Sequence, residues 1–340
     1  MSHRVRIESS GHQFDCNSNE TVLEAALRQG IALPYSCRNG ACGSCKGKLR
    51  SGELEYREET QALSTAEQAQ GMALFCRAYP TGDLVIEVRE VGAARDIPVK
   101  ILPCRVQKKE QLAPDVVRIY LKLPKTERLQ FLAGQYIDIL MADGRRRSFS
   151  LANAPHDDEM LELHIRLVPG GEFTQTVFEE MKEKALLRIE GPLGSFFLHD
   201  ASTRPLIFMA GGTGFAPVKA MVEHLFYEKI KRPIFFYWGA RDLDSLYLRE
   251  MPGKWAKKHK NFTFVPVLSE PKPEDQWQGR TGYVHEAIAA DFKNLSDYDI
   301  YACGPPPMVK SAYQAFTARG LPDEQYFSDA FEFAKDKHKT

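Results

Sequence analysis

Pro34-Tyr-Ser-Cys-Arg-Asn-Gly-Ala-Cys-Gly-Ser-Cys-Lys-Gly47 places Cys37, Cys42 and Cys45 in a C-x4-C-x2-C pattern, and a fourth thiol, Cys76, lies well downstream. That spacing is the one by which four thiolates hold a [2Fe-2S] cluster. A zinc site is the plainer alternative, but structural zinc usually shows two paired knuckles rather than three thiols in one short loop and a distant fourth. The loop is also rich in residues with little side chain, which lets backbone N–H groups approach cluster sulfurs. Gly40, Gly43 and Gly47 are expected to supply positive φ where the loop wraps.

The rest of the composition limits what such a site can serve. The 340 residues are 43% hydrophobic and 26% charged, a globular balance long enough for two or three domains. Forty-five basic residues offset 45 acidic ones, and the isoelectric point is about 7.1, so no global field draws in nucleic acid or an anionic membrane. The first residues alternate polar and apolar, unlike a signal peptide, and no run approaches the roughly 20 apolar residues of a membrane span. A cytoplasmic protein is expected. Seven cysteines in that compartment point to metal or redox chemistry rather than disulfides. Cys16 and Cys104 stand alone and read as small buried hydrophobes.

Around the cysteine loop, His3 to Ser9 and His12 to Cys16 read as a hairpin about Ser10-Gly11. Thr21 caps a helix on which Val22, Ala25, Ala26 and Gln29 give a mixed face, and Asp83 to Val88 is another strand. Residues 1–90 resemble a plant-type ferredoxin domain, which implies a β-grasp fold. Residues 91–98 read as a linker.

Residues 99–200 break into short strands, among them Val116 to Leu121, Tyr136 to Leu140 and Leu161 to Leu167, as in a small antiparallel six-stranded β-barrel. Within it lie Arg145-Arg-Arg-Ser-Phe-Ser-Leu151, Leu163-His-Ile-Arg166 and Gly170-Gly-Glu-Phe-Thr174. A flavin dinucleotide needs cations for its pyrophosphate, an aromatic beside its ring and a hydroxyl near N5, and Arg147, Phe149 and Ser150 offer one of each. Alone, three arginines in a row fit a solvated surface better. Arg147-Ser-Phe-Ser150, however, resembles the Arg-x-Tyr-Ser flavin motif of the ferredoxin-NAD(P)H reductase superfamily, with Gln135-Tyr136 before it. The resemblance implies that Arg147 holds phosphate, Phe149 stacks and Ser150 faces N5, with His164, Ile165, Gly171, Phe173 and Thr174 completing the FAD site. Phe149 stands where the family has Tyr, which removes one polar contact and leaves FMN open from this motif alone.

Beyond Pro205 the pattern changes to apolar strands alternating with amphipathic helices, a doubly wound parallel sheet over 201–340 with strands at Leu206 to Ala210, Ile234 to Gly239, Phe262 to Leu268 and Asp299 to Cys303. Gly211-Gly-Thr-Gly-Phe-Ala-Pro217 falls between the first strand and a helix, where glycines let a pyrophosphate reach free amides at the helix start. Gly211, Gly212, Thr213 and Gly214 are therefore candidate nicotinamide-cofactor residues. Tyr301-Ala-Cys-Gly-Pro-Pro-Pro-Met308 closes the fourth strand, at the edge where open α/β sheets bind ligands. It resembles the Cys-Gly-Pro motif of the same superfamily, which places Cys303, Gly304 and Pro305 near the hydride-donating carbon; a core cysteine is the plainer reading. Phe327 to Phe333 resembles the flavin-facing tail, which makes Phe331 a lid over the ring, against a plain edge strand ending in exposed aromatics. Ser150, Cys303 and Phe331 are the candidate catalytic residues.

Across nearly the whole chain the sequence resembles the CDP-6-deoxy-Δ3,4-glucoseen reductase family, a likeness carried by Phe131 to Asp138, Arg146 to Pro155, Gly211 to Lys219 and Phe327 to Phe331. It implies an enzyme that passes electrons from NAD(P)H, NADH favoured, through FAD and [2Fe-2S] to a partner protein, a deoxysugar dehydrase. Reductase components of phenol and methane oxygenases look similar, so an oxygenase component is the alternative partner. A flavin reductase that releases reduced flavin, or a redox sensor without turnover, are readings of another class.

Overall fold

The computed structural model describes residues 2–91, 97–199 and 201–331. It divides into two compact units, Met1–Pro98 with Gly194–Phe196, and Val99–Leu193 with Phe197–Thr340. Most of the segment read as a linker, 92–96, lies outside the described residues, as do Glu332 and Phe333.

The first unit runs β1 (Ser2–Ile7), β2 (Gln13–Asn17), α1 (Val22–Arg28), β3 (Lys46–Ser51), β4 (Leu54–Tyr56), α2 (Thr65–Ala69), β5 (Met72–Leu74), β6 (Ala78–Pro80) and β7 (Leu84–Glu87). Its main sheet has the order β2-β1-β7-β3-β5, with β1 and β7 parallel and the other pairs antiparallel, while β4 and β6 form a separate pair. Period-two alternation buries Val5, Ile7, Phe14 and Cys16 and leaves their neighbours in solvent. The start of α1 is set locally: Thr21 Oγ1 accepts the Glu24 amide at 3.2 Å, and Glu24 accepts the Thr21 amide at 2.8 Å, a reciprocal capping box. Cys16 is buried here as expected of an isolated thiol, and burial pushes it up to about 12.

The second unit begins with β8 (Lys100–Ala113), β9 (Val116–Lys122), β10 (Tyr136–Leu140), β11 (Arg146–Ser150), β12 (Leu161–Arg166), α3 (Glu172–Glu179) and β13 (Leu186–Leu193). The strands form one antiparallel sheet, β11-β10-β13-β8-β9-β12, and a bridge between Leu151 and Leu163 brings its two end strands together. Val106, Ile119, Leu121, Ile137, Leu163, Ile165 and Ile189 fill its interior.

The chain continues through β14 (Leu206–Gly211), α4 (Phe215–Tyr227), β15 (Ile234–Ala240), α5 (Glu250–Lys258), β16 (Phe262–Leu268), β17 (Arg280–Thr281), α6 (Val284–Asp291), β18 (Asp299–Gly304), α7 (Pro306–Thr317) and β19 (Tyr326–Ala330). This sheet is parallel throughout, in the order β17-β16-β15-β14-β18-β19. β14 is central, so the chain moves outward through β15 to β17 and returns to the other side with β18. The carboxyl ends of β14 and β18 thereby flank a switch point, the place where such sheets bind ligands. The sequence pattern showed four of these strands. β17 is only two residues long and β19 is a mixed, half-buried edge, so neither alternates clearly, and Tyr301 to Met308 closes the fifth strand rather than the fourth.

Candidate active site

The cysteine loop turns through left-handed backbone at Arg38 (φ 57°), Gly40 (φ 84°) and Gly43 (φ 80°). Those turns aim backbone amides at sulfur: Cys42 N–H points to Cys37 Sγ at 3.4 Å and Ser44 N–H to Cys42 Sγ at 3.5 Å. Gly47 does not take positive φ as expected. It lies in β3, where a Cβ would fall 2.4 Å from the Phe75 ring and 2.9 Å from the Glu87 carbonyl oxygen, so its requirement is space. Cys45 and Cys76 are buried and Cys37 and Cys42 half-buried. Among the described residues no three His, Cys, Asp or Glu side chains converge on one metal position. The donor set is all thiol, and Cys37, Cys42, Cys45 and Cys76 would hold a [2Fe-2S] cluster, which would supply one-electron transfer.

In the flavin segment the arginine triplet is divided by its partners. Arg145 binds Asp143 and Glu172, each at 2.6 Å, and Arg146 binds Glu190. Arg147 is half-buried on β11 and donates from Nη1 to the Arg146 carbonyl at 2.9 Å. Phe149 packs at 5.6 Å, centroid to centroid, on the buried Phe173 of α3, and Ser150 is buried at the strand end opposite Tyr136. Thr174 Oγ1 donates to the Gly171 carbonyl at 3.0 Å and accepts the Val168 amide at 3.1 Å, which closes the turn before α3. The Ile165 side chain is in the core. His164 has both ring nitrogens engaged, Nε2 with Glu162 Oε1 at 2.8 Å and Nδ1 with the Tyr247 hydroxyl at 2.9 Å. Because a carboxylate can only accept, Nε2 carries the proton and Nδ1 accepts from Tyr247.

At the glycine loop a short 3-10 turn, Gly212–Gly214, leads into α4, and Pro217 sits in the first turn of that helix. The loop is pressed onto the end of β18. A Cβ at Gly214 would lie 2.2 Å from the Cys303 carbonyl oxygen, and one at Gly211 would lie 2.7 Å from Met308 Sδ. Trp238 Nε1 donates to the Gly212 carbonyl at 2.9 Å, and Thr213 is half-buried beside it. Cys303 is fully buried, and burial first, then the nearby Asp329 carboxylate, pushes its thiol well above the ordinary range, so it stays protonated. The Phe331 amide donates to the Gly304 carbonyl at 2.9 Å, which seats the tail beside Gly304 and the exposed Pro305.

The sequence reading passed over the groups that join these two segments. Arg166 of β12 faces the loop, where a Cβ on Gly212 would fall 2.8 Å from its Nη1. Its Nη2 is enclosed without a hydrogen-bond partner, although Nε lies 3.2 Å from Asp115. An Arg166 Nη2 without a partner among the described residues, over a glycine loop, suits a dinucleotide pyrophosphate. Lys219 of α4 is buried and donates to Glu162 Oε2, Glu223 Oε2 and the Ala152 carbonyl, each at 3.0 Å. Burial pushes Glu162 up, but the His164 hydrogen bond and the Lys219 charge outweigh it and hold it down to about 2. The available signal was a lone lysine inside the apolar run Phe215-Ala-Pro-Val-Lys-Ala-Met-Val222.

Together these features define an oxidoreductase that draws electrons from a nicotinamide cofactor through a flavin to an iron-sulfur cluster. Residues 5–81 match the family described as 2Fe-2S iron-sulfur cluster binding domain, 103–198 the oxidoreductase FAD-binding domain, and 208–314 the oxidoreductase NAD-binding domain. The CDP-6-deoxy-L-threo-D-glycero-4-hexulose-3-dehydrase reductase of Yersinia pestis is 41% identical, covering 97% of this chain and 99% of its own. The phenol hydroxylase P5 protein of Acinetobacter pittii is 37% identical over 99% of this chain and 96% of its own. Among solved structures, the Amycolatopsis cytochrome P450 reductase GcoB superposes with a TM-score of 0.78 at 32% identity, covering 97% of this chain and 98% of that one. The chain belongs to the family of iron-sulfur flavoprotein reductases that fuse a 2Fe-2S domain to oxidoreductase FAD- and NAD-binding domains, the group that includes the CDP-6-deoxy-hexulose dehydrase reductases.

Proposed function

We propose that this reductase delivers single electrons from its cluster to a deoxysugar dehydrase in the cytoplasm, with an oxygenase component as the alternative acceptor. The four free thiols Cys37, Cys42, Cys45 and Cys76, all within the residues that match the 2Fe-2S domain, carry the reading, because a one-electron centre on the same chain as flavin and nicotinamide domains serves a protein acceptor rather than release of free flavin. The likeness to the Yersinia dehydrase reductase favours the first acceptor, and that to the Acinetobacter phenol hydroxylase protein favours the second. Bound FAD would supply the conversion between a hydride and single electrons.

The domain bounds that support this division are 1–90, 99–200 and 201–340, read as a β-grasp, a β-barrel and a doubly wound sheet. Within them Arg147 binds phosphate, Phe149, backed by Phe173, stacks on the ring, Ser150 faces N5, and the backbone of His164 and Ile165 on β12 together with the turn at Gly171 and Thr174 borders the dinucleotide. Gly211, Gly212, Thr213 and Gly214 receive the nicotinamide cofactor, with Cys303, Gly304 and Pro305 at its reactive end and Phe331 against the flavin. NADH is the preferred donor on family likeness; of the cations near the second and third strands, Lys272 is bound to Asp242 at 2.9 Å and Arg280 to Asp291, while Arg241 is exposed beside Asp242. The test is anaerobic reconstitution followed by Cys42→Ser. The variant should keep NADH-dependent ferricyanide reduction and lose electron delivery to added dehydrase or oxygenase component; unchanged delivery would remove the cluster from the path.

A further inference from the structure

We propose that Lys219 is a positioning residue for hydride transfer, a latch that fixes the helix behind the glycine loop to the strand end that carries the flavin motif. The inference rests on the reading that Arg147 to Ser150 and Gly211 to Gly214 hold the two cofactors. Lys219 lies five positions after Gly214 on α4, and its ammonium crosses to the antiparallel sheet. There it meets the carbonyl of Ala152, two residues past Ser150, and the carboxylate of Glu162 on β12, both at 3.0 Å. Its third proton goes to Glu223, one turn along the same helix, also at 3.0 Å. An ammonium has three donors, and all three are met by acceptors on three separate segments.

That satisfaction bears on purpose. A buried ion pair is seldom the cheapest way to hold two surfaces together, since well-packed apolar side chains of similar volume commonly do as well or better. What the ion adds is a single geometry, because two hydrogen bonds, to the Ala152 carbonyl and to Glu162, tie α4 to the antiparallel sheet while the third, to Glu223 on the same helix, orients the ammonium toward them. Glu162 is itself fixed from behind by His164 Nε2, and His164 by the hydroxyl of Tyr247, which follows β15. The sheet edge at β12 is thus tied at two points to the parallel-sheet layer, at α4 and beyond β15. Hydride transfer requires the two rings in contact, and a displacement of roughly 1 Å far from the chemistry can cost on the order of a hundredfold in rate.

The experiment uses FAD-loaded full-length protein, mixed anaerobically with NADH. It compares wild type, Lys219→Met, and Lys219→Met combined with Glu162→Gln, which removes the charge stranded at the more deeply buried of the two carboxylates. The readouts are the limiting rate of flavin bleaching, the NADH dissociation constant, the long-wavelength absorption of stacked nicotinamide and flavin, and the thermal midpoint. A latch predicts a limiting rate lower by on the order of tenfold to a hundredfold, loss of the stacking band and unchanged NADH affinity. It also predicts that the double variant regains the thermal midpoint but neither rate nor band. Recovery of rate together with midpoint, or a wild-type limiting rate in either variant, overturns the proposal; so does failure of both variants to fold, which would make the contact a matter of stability. Wild-type protein left unbleached by NADH and NADPH alike would defeat the cofactor reading first, and the latch with it.

Discussion

Replacing Gly214 by alanine should disable the proposed nicotinamide site before it unfolds the protein. The backbone there, at φ −57° and ψ −12°, is open to any residue, so conformational freedom is not what glycine supplies. The added Cβ would sit 2.2 Å from the Cys303 carbonyl oxygen and 2.7 Å from its carbonyl carbon, both main-chain atoms that no rotamer change can move. Ordinary contact begins about 1 Å farther out, so the loop must retreat by roughly that distance, an overpacking strain of about 1–3 kcal/mol. For a unit of this size the strain lowers Tm by several degrees. The same 1 Å at the reacting centre costs on the order of a hundredfold in the rate of flavin reduction by NADH. Gly253→Ala in α5 is the control: a Cβ there meets nothing within 4 Å, and alanine should raise stability by about 0.5–1 kcal/mol with the rate untouched. Stopped-flow reduction and thermal melts on both variants decide the matter. A Gly214→Ala protein with the wild-type rate and Tm would refute the close seating of the loop on Cys303.

Acid should weaken the second unit through Glu162. Its carboxyl is held at about 2 against an ordinary value of 4.5, so its stabilisation of about 3 kcal/mol is complete above pH 4.5 and is lost as pH falls toward 2. Glu223, pushed up by burial, works in the opposite sense, so the clean measurement is the gap in urea midpoint between wild type and Glu162→Gln, which should narrow over that range. Thr21→Ala should cost the first unit about 1 kcal/mol by removing the α1 cap, read as a lower denaturation midpoint of the cluster-bearing unit. Cys16, Cys104 and Cys303 are buried with thiols raised by that burial, so mass spectrometry should find them unalkylated by iodoacetamide in native holoprotein and modified after denaturation.

Much of this protein was legible in short stretches of its chain. The cysteine spacing, the Thr21 cap, the hairpin at Ser10-Gly11 and the succession of strand, glycine loop and helix around Gly211 all depend on interactions among residues a few positions apart, and local patterns report those directly. Gly47 shows where such reading stops. Sequence suggested a turn, whereas the folded chain needs glycine there because Phe75, far along the sequence, packs against it. The membership of Gly194–Phe196 in the first unit, where Ser195 Oγ donates to the Tyr35 carbonyl at 2.8 Å, is likewise invisible in a local pattern. So are β17 and β19, which are strands only because a neighbouring edge offers them partners. The clearest case is the bond from Lys219 to Glu162, between residues 57 apart. A charge in an apolar run can be buried only where distant acceptors meet it, and which acceptors those are is settled by how one sheet packs against another, so chemistry that is local could be read from the sequence while chemistry built across elements was decided by the tertiary structure.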